Sequence, residues 1–317
     1  MKLDLERIQE QYTAPYIIGY GSWVFPQPGS NPNQPKMIDF ILWVDNPWEW
    51  HAQNLQTNAK DYAYIPRGLQ KLGLFGLLQD TWAKIYYNPY VKLDKTTQLK
   101  YGVIALWEIE KDLLEWTTLY VAGRLQKPTL EISGDGRLDN AKKQNLVHAI
   151  SVAMSFLPEI FTMEELFLQI ARLSYLWDFR GKYEAPGKIQ SIVEGSKRGF
   201  EEMYTPLMIE FSHRCIEISN GVFRQDFGWD ILAKTLSDFP LRVQEVMYDV
   251  WDGDIETFRN SLKRAIIHIV ASSSRAQSLK WIISAGPISS IKYGVAKLKK
   301  SGQLETLFPT ARETLKK

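Results

Sequence analysis

The sequence has little cysteine, little charge imbalance and no long apolar run. Its one cysteine, Cys215, excludes an internal disulfide and any metal site built from several cysteines, as is typical of a reducing compartment. With a net charge of only +2, the chain lacks the overall basic field that non-specific nucleic-acid binders carry. No apolar run is long enough to cross a bilayer, and the mixed-charge N-terminus is unlike a signal or transit peptide. These absences predict a cytoplasmic protein, or one whose leader has been removed, that does not bind nucleic acid.

The chain has 317 residues, enough for two domains, and its 45% hydrophobic content is ordinary for a globular protein. Eleven tryptophans and fifteen tyrosines make it rich in aromatic residues. Cys215 could serve as a nucleophile, but its position in an amphipathic run favours half-buried packing.

The most informative stretch is a glycine turn followed by a strand that carries a carboxylate. Tyr20, Gly21 and Ser22 follow an apolar segment, and glycine permits a tight turn that approaches a ligand closely. Asp39 then lies within an apolar strand, where a carboxylate is costly unless a cation or donor meets it. A turn that binds phosphate, upstream of a strand aspartate that binds metal, is the layout of a nucleotidyltransferase. The alternative is an ordinary turn and a strand with a satisfied aspartate.

The periodicity predicts a small mixed sheet flanked by helices, followed by a mainly helical half. The predicted strands are 37–45, 83–88 and 99–107, the last two forming an antiparallel pair. The predicted helices are 3–11, 48–55, 69–80, 110–119, 140–156, a helix that starts at 162, 188–193, 198–203, 241–248 and 255–273. Thr162 and Glu165 form a capping box, and Asn220–Gly221 indicates a β-hairpin or wing. His51, on the helix after Pro47, is interpreted as a packing or surface residue.

Two charged segments stand out beyond the turn. Arg124 and Lys127 place two cations close together after Gly123, which suits phosphate binding, although a solvated basic loop is the alternative. Asp178 and Arg180 lie among aromatic residues in a turn, which is often a functional setting, although a surface ion pair is the alternative.

The chain ends with a predicted basic amphipathic helix that begins at Pro287. Its narrow apolar stripe and its flanking lysines comprise Ile288, Ile291, Val295 and Leu298, with Lys292, Lys297, Lys299 and Lys300. Such a helix is typical of a membrane-surface anchor, and a docked terminal helix with solvated lysines is the alternative.

Several blocks, taken together and in order, resemble the mitochondrial translocator assembly and maintenance family of phosphatidate cytidylyltransferases. The Ala-Gly-Arg-Leu-Gln-Lys-Pro block at 122–128 is the strongest of them. The others are Tyr20–Ser22, Asp39–Asp45, Trp50–Leu55, Lys100–Ile104, Leu173–Tyr175 with Asp178–Arg180, Ser273…Gln277…Lys280 and Ala285–Pro287. The resemblance extends from about Tyr20 to Lys300 and suggests a bacterial member or a trimmed chain.

The resemblance implies an α+β fold with a DNA polymerase beta-like nucleotidyltransferase domain at 1–130. A helical, winged-helix-like domain would follow at 131–270, and a C-terminal segment with the membrane-contacting helix at 271–317. The implied reaction is CTP plus phosphatidate giving CDP-diacylglycerol, the precursor of phosphatidylglycerol and cardiolipin, and pyrophosphate, with Mg²⁺. The implied location is peripheral on the inner face of the cell membrane, or on the matrix side of the mitochondrial inner membrane in a eukaryote.

The sequence departs from the general nucleotidyltransferase pattern, which has two strand carboxylates separated by one residue. The second position here is Ile41, and the adjacent strand offers Lys100 rather than an acid. The candidates for the second metal ligand are Asp178, then Asp45, then Asp112.

The expected site therefore divides into four groups of residues. The catalytic set is Asp39, Lys100 and Asp178; the nucleotide-binding set is Tyr20, Gly21, Ser22, Arg124 and Lys127; the metal ligands are Asp39, Asp178 and Asp45; the membrane contacts are Ile288, Ile291, Lys292, Val295 and Lys299. A nucleotidyltransferase with another acceptor and a non-enzymatic membrane assembly factor are the alternative functions.

Overall fold

A computed structural model describes residues 2–25, 36–81, 83–94, 97–175, 187–226 and 228–285. Its centre is a mixed five-stranded sheet in the order β3-β4-β2-β1-β5. The strands are β1 (Tyr16–Tyr20), β2 (Lys36–Val44), β3 (Ile85–Lys92), β4 (Thr97–Ala105) and β5 (Leu130–Ser133). β2 and β4 run parallel, and the other neighbours run antiparallel. The predicted α+β class, mixed sheet and antiparallel pair are confirmed, and β1 and β5 are additional strands.

Alternation along the strands gives the sheet two buried faces. On one face, Phe40 and Tyr101 pack with Ile8 of the N-terminal helix α1 (Lys2–Gln11) and with Tyr12, which follows that helix. On the other face, the residues in contact with the helical half include Tyr16, Ile18, Ile41, Trp43 and Ile104. That second cluster continues without a break into the helices beyond residue 131. The hydrophobic core is therefore shared across the predicted boundary, and the domain division stays a prediction.

Five helices accompany the sheet: α2 (Pro47–Thr57), α3 (Tyr64–Lys71), α4 (Gly76–Gln79), α5 (Leu106–Glu115) and α6 (Ala122–Leu125). The prediction of one helix over 69–80 is wrong, because Gly73 has a φ of +69° and separates α3 from α4. The prediction of a helix over 110–119 is also shifted. α5 begins four residues earlier, at Leu106, and ends before Trp116, which adopts a left-handed conformation with φ 56°.

The remaining helices are α7 (Asp139–Met154), α8 (Met163–Leu173), α9 (Lys188–Gly195), α10 (Lys197–Tyr204), α11 (Trp229–Ser237), α12 (Leu241–Val250) and α13 (Ile255–Ala285). The predicted capping box starts α8, since Thr162 Oγ1 accepts from Glu165 N at 3.2 Å. A second sheet has the order β6-β8-β7. Its strands are β6 (Ile160–Thr162), β7 (Cys215–Ser219) and β8 (Val222–Gln225). The hairpin predicted at Asn220–Gly221 is confirmed.

Two further predictions concern Cys215 and the chain end. Cys215 is buried in β7, and burial raises the pKa of its thiol, so the packing interpretation is confirmed. α13 continues past the predicted end at residue 273 to Ala285. The predicted membrane-contacting helix, with Ile288, Ile291, Lys292, Val295 and Lys299, lies outside the described residues. Within the described part of the chain, none of the helices combines the length and apolar character needed to cross a bilayer.

Candidate active site

Three neighbouring inner strands bring Tyr20, Asp39 and Lys100 together in the middle of the sheet. Asp39 of β2 lies opposite Tyr20 of β1 and opposite Lys100 of β4. Residues paired in this way point to the same face, with Cβ atoms about 5 Å apart. It is the face that packs against the helical half. Tyr20, Asp39 and Lys100 therefore converge, although 80 residues separate the first from the last.

Lys100 is the cation that meets the strand aspartate. Its Nζ donates to Asp39 Oδ1 at 3.0 Å, and both side chains are half-buried. Burial by itself would lower the pKa of Lys100, but the attraction of Asp39 outweighs it and the pKa lies above its ordinary value. The lysine is therefore charged at neutral pH. The carboxylate that the sequence placed among apolar neighbours is satisfied by a residue on the adjacent strand.

The glycine turn closes over the same carboxylate. Gly21 has a φ of +90°, and a Cβ added there would lie 3.6 Å from Asp39 Oδ2. Trp23 holds the turn against β2, because its Nε1 donates to the carbonyl of Asp39 at 3.0 Å. Ser22 is exposed at the apex. The turn therefore places exposed backbone and a hydroxyl beside the Asp39–Lys100 pair.

Tyrosine rings hold the cations of the site. The guanidinium of Arg124 lies 4.0 Å from the ring centre of Tyr120 and 5.6 Å from that of Tyr20. Lys100 Nζ lies 5.9 Å from the same Tyr20 ring and 5.2 Å from that of Tyr87. Burial raises the pKa of Tyr20 and of Tyr87, so both stay neutral and offer ring faces to the cations. Lys100 and Arg124 thus both lie within 6 Å of one aromatic ring.

Lys127 lies where α6 meets the end of α8. Its Nζ donates to Ser174 Oγ at 2.8 Å and to the carbonyl of Gly123. A Cβ added to Gly123 would lie 2.4 Å from Ser174 Cβ, so only glycine permits this approach. The ring of Tyr175 lies 5.4 Å from Lys127 Nζ. Close packing of α6 on α8 therefore positions Lys127.

Asp112, a candidate metal ligand from the sequence, instead anchors the loop before α6. Its Oδ1 accepts from the backbone amides of Thr118 and Leu119, at 2.8 and 2.9 Å. Its Oδ2 accepts from the amides of Val121 and Ala122, at 3.1 and 3.0 Å. The side chain is 3% exposed. Both oxygens are already bonded, so the assignment of Asp112 as a metal ligand is wrong.

The other two candidates for a second metal ligand are Asp45 and Asp178. Asp45 is six residues beyond Asp39 on an extended strand, roughly 20 Å away. Its Oδ1 accepts from Arg137 Nη1 at 2.9 Å, so it belongs to a surface ion pair away from the site. Asp178 lies outside the described residues. Among the described residues, no group of three or more His, Cys, Asp or Glu side chains is arranged to hold a metal ion.

The donor set fits Mg²⁺ only as an ion that shares its ligands with a bound phosphate. Asp39 supplies one carboxylate, with Oδ1 bonded to Lys100 and Oδ2 facing the Gly21 turn. Mg²⁺ is often held by one or two carboxylates together with substrate phosphates and water. A single carboxylate is sufficient for that arrangement, and it is insufficient for an all-protein cage.

His51 is a packing residue, as expected. Its Nδ1 lies 2.7 Å from Tyr62 Oη and its Nε2 lies 3.1 Å from Gln79 Oε1. Burial lowers the pKa of His51 to about 3, so the ring is neutral. It belongs to a buried polar network in which Tyr101 Oη donates to Asp61 Oδ2 at 2.8 Å. Tyr101 faces away from Lys100 on β4, so the network lies on the opposite side of the sheet from the site.

Sequence reasoning did not single out Tyr87 and Tyr120. One signal was present, because Gly102 follows Lys100 by two residues on the same face of β4. A Cβ added to Gly102 would lie 2.7 Å from the Tyr87 ring. The missing side chain therefore makes room for the ring that contacts Lys100.

Comparison with known proteins identifies the family of this chain. The family model described as "Phosphatidate cytidylyltransferase, mitochondrial" matches residues 5–300. The chain belongs to this family. The match contains every described site residue, from Tyr20 to Lys127.

Curated relatives that carry the same name extend over most of the chain. The Xenopus laevis protein is 34% identical over 301 residues, covering 89% of this chain and 88% of its own. The Danio rerio protein has the same identity and coverage. The Schizosaccharomyces pombe protein is 31% identical over 332 residues, covering 95% of this chain and 84% of its own. The family resemblance read from the sequence is therefore confirmed.

Proposed function

We propose that this chain is a phosphatidate cytidylyltransferase that converts CTP and phosphatidate to CDP-diacylglycerol and pyrophosphate. The observation that carries the proposal is the Asp39–Lys100 pair, 3.0 Å apart beside the Gly21 turn, in a chain of this family. A triphosphate needs positive charge and backbone donors, and Lys100, Arg124 and the turn supply them.

The reaction is an in-line displacement at phosphorus. A phosphate oxygen of phosphatidate attacks the α-phosphorus of CTP and forms a new phosphorus–oxygen bond. The bond from the α-phosphorus to the oxygen that bridges it to the β-phosphorus breaks, and its electron pair leaves with pyrophosphate. A phosphate monoester is largely ionised at neutral pH, since its second pKa is about 6, so no protein base has to remove a proton. The neutral, buried state of His51 is consistent with such a reaction.

The residues of the chain act by positioning and by charge stabilisation. Lys100 and Arg124, which both contact the Tyr20 ring, would contact the triphosphate. The turn at Gly21 and Ser22 would bind the β- and γ-phosphates. Lys127 is proposed to neutralise further charge from its place beside α8. Mg²⁺, when bound with the nucleotide, would neutralise phosphate charge, and Asp39 is the described residue suited to hold it.

A cavity beside the basic block is suited to the lipid part of the acceptor. Its volume is about 680 Å³, within the range of roughly 300–1,000 Å³ that ligand pockets occupy. The apolar side chains that line it are Phe25, Leu125, Pro128, Leu146 and Met203. Leu125 and Pro128 come from the same block as Arg124 and Lys127. We propose that an acyl chain binds in this cavity, beside the block that carries those cations.

The same proposal includes the fold type of each part of the chain, the requirement for Mg²⁺, the membrane contact and the cellular location. The mixed sheet with its glycine turn supports a nucleotidyltransferase fold of the DNA polymerase beta type. The β7–β8 hairpin after α8–α10 supports a winged-helix-like second region. Mg²⁺ dependence is proposed because the substrate is a triphosphate, and peripheral membrane contact and supply of the cardiolipin precursor because the acceptor is a lipid. The mitochondrial names of the relatives favour the mitochondrial alternative for location.

The decisive experiment measures pyrophosphate release from CTP and Mg²⁺ with phosphatidate vesicles. Asp39→Asn is compared with Asp45→Asn, which removes a carboxylate from the distant end of the same strand. The proposal expects release that requires phosphatidate, that is lost in Asp39→Asn and that persists in Asp45→Asn. Release with another nucleotide only would reject CTP as substrate. No release by the folded protein with any nucleotide would favour an assembly factor without enzymatic activity.

A further inference from the structure

The segment 62–79, which contains α3 and α4, is apolar on two sides. Its inner side packs against the sheet through Tyr62, Phe75 and Leu78, which form a buried cluster with Tyr86 of β3. Its outer side carries large hydrophobic residues that remain exposed, here called the α3–α4 patch: Tyr64, Ile65, Leu72, Leu74 and Leu77. Exposed fractions reach 89% for Tyr64, 72% for Leu72 and 61% for Leu77.

Helical spacing makes the α3–α4 patch one surface. Tyr64, Gly68 and Leu72 follow one another at intervals of four residues, so they share one face of α3. Leu74 stays against the end of α3, since its amide donates to the carbonyl of Leu69 at 2.8 Å, and Leu77 follows in α4. Trp48 extends it further, since a Cβ on Gly76 of α4 would lie 3.5 Å from its Nε1. Clustered exposed apolar side chains with a polar border mark interaction surfaces.

The charges around the α3–α4 patch favour an anionic lipid surface as the occupant. Segment 62–79 contains Arg67 and Lys71 and no acidic residue. Both cations lie on α3 beside the exposed face, and Arg67 lies 5.6 Å from the ring of Tyr64. The nearest acids in the chain are Asp61, which accepts from buried tyrosines, and Asp80, which accepts from Trp48 Nε1 at 3.0 Å. Apolar side chains bordered by cations are typical of helices that lie in the interface of anionic membranes.

The end of α13 is anchored next to this surface. Lys280 Nζ donates to the backbone carbonyls of Gln79 and Thr81, both at 3.3 Å, directly after α4. Ala285, the last described residue, is five residues further, roughly 7–8 Å along a helix axis. α13 therefore packs beside the segment that carries the α3–α4 patch.

We propose that the α3–α4 patch is a membrane-docking surface that binds bilayers containing phosphatidate, in addition to any contact made by the C-terminal segment. The proposal rests on the proposed function for the identity of the lipid. Tyr64, Leu72 and Leu77 enter the apolar boundary of the bilayer, while Arg67 and Lys71 contact lipid phosphates. Docking there holds the enzyme on the membrane that contains its acceptor.

The test measures binding of the full chain to phosphatidylcholine vesicles with and without phosphatidate, by flotation. The double variant Leu72→Ser with Leu77→Ser is compared with a control double variant, Ile209→Ser with Tyr248→Ser. The side chains of Ile209 and Tyr248 are 77% and 89% exposed and lie outside the α3–α4 patch. The patch variant is expected to bind phosphatidate vesicles at least about tenfold more weakly, since each buried leucine contributes that much. The control variant is expected to bind like the wild type.

A charge variant and two further measurements complete the design. Lys71→Glu is expected to weaken binding to phosphatidate vesicles and to leave weak binding to neutral vesicles unchanged. Equal vesicle binding by the wild type and the patch variant would overturn the proposal. So would a change from dimer to monomer in the patch variant by light scattering, because the patch would then bind a second copy.

Turnover of CTP with a short-chain, water-soluble phosphatidate separates the docking proposal from the proposed function. If vesicles bind through the patch but no CTP is consumed, the enzymatic function fails and the docking surface stands. If the wild type and the patch variant consume CTP equally with soluble acceptor and bind vesicles equally, the docking surface fails and the function stands. Unchanged circular dichroism of the variants verifies that each is folded.

Discussion

Lys100 Nζ lies 3.0 Å from Asp39 Oδ1, and the two residues face each other across parallel strands in the middle of the sheet. The pair resolves two features of the sequence at once, a carboxylate in an apolar strand and a lysine where a third acid was expected. It also fixes a positive charge beside the carboxylate that faces the turn at Gly21.

Replacing Lys100 with methionine should lower activity by roughly 10²–10³-fold, the usual effect of removing one preorganised charge from a transition state. It should also destabilise the fold by about 1.5–3 kcal/mol, because Asp39 loses a charged hydrogen bond. The matched control is Lys84→Met, which breaks a surface pair with Glu108. Pyrophosphate release and urea unfolding measure the two effects. Equal activity in both variants would remove Lys100 from the mechanism.

Replacing Gly21 with alanine should abolish most activity at a modest cost in stability. Its φ of +90° disfavours a side chain by about 1–2 kcal/mol, and the new Cβ would crowd the space beside Asp39 Oδ2. Gly187→Ala is the control, since Gly187 has a similar φ of +83° and nothing within 4 Å of the added Cβ. Both variants should lose similar stability in thermal unfolding. Similar losses of activity in the two would mean that backbone strain, and not the site, explains the effect.

Replacing Gly123 with alanine should destabilise the fold by about 1–3 kcal/mol, because the new Cβ would overlap Ser174 and force α6 away from α8. The displacement should also reduce activity, if Lys127 acts on the substrate as proposed. Gly68→Ala on α3 is the control, with nothing within 4 Å of the added Cβ and an expected gain of a few tenths of a kcal/mol. Urea unfolding is the measurement. A Gly123→Ala protein as stable as Gly68→Ala would contradict the packing described here.

Stability should fall as the pH falls through the range in which only the unfolded chain protonates His51. The folded-state pKa of His51 is about 3, against an ordinary value of 6.5. Between these values the unfolded state binds more protons, so acidification from pH 6.5 to 5 should cost about 2 kcal/mol. His51→Gln should show a shallower dependence, and the exposed His213→Gln should follow the wild type. Urea unfolding at several pH values measures the slopes, and identical slopes for the wild type and His51→Gln would refute the assignment.

Local signals in the sequence determined much of the secondary structure and the family. Pro47 begins a helix, Thr162 and Glu165 cap another, and Asn220–Gly221 turns a hairpin, because each depends on a few adjacent residues. Ordered blocks of motif residues identified the family. Asp39 was recognisable for a similar reason, since an isolated carboxylate in an apolar strand is conspicuous without knowledge of its partner.

Tertiary structure decided which residues meet. Lys100 reaches Asp39 only because β4 pairs with β2 in parallel register, across 61 residues of chain. Asp112 was a candidate metal ligand from the sequence, but in the structure its two oxygens accept hydrogen bonds from four backbone amides. The exposed outer face of α3 could not be predicted either. An apolar segment is expected to be buried, but its sequence does not show which side contacts the core. Pairing, burial and direction depend on distant neighbours, and no local pattern encodes them.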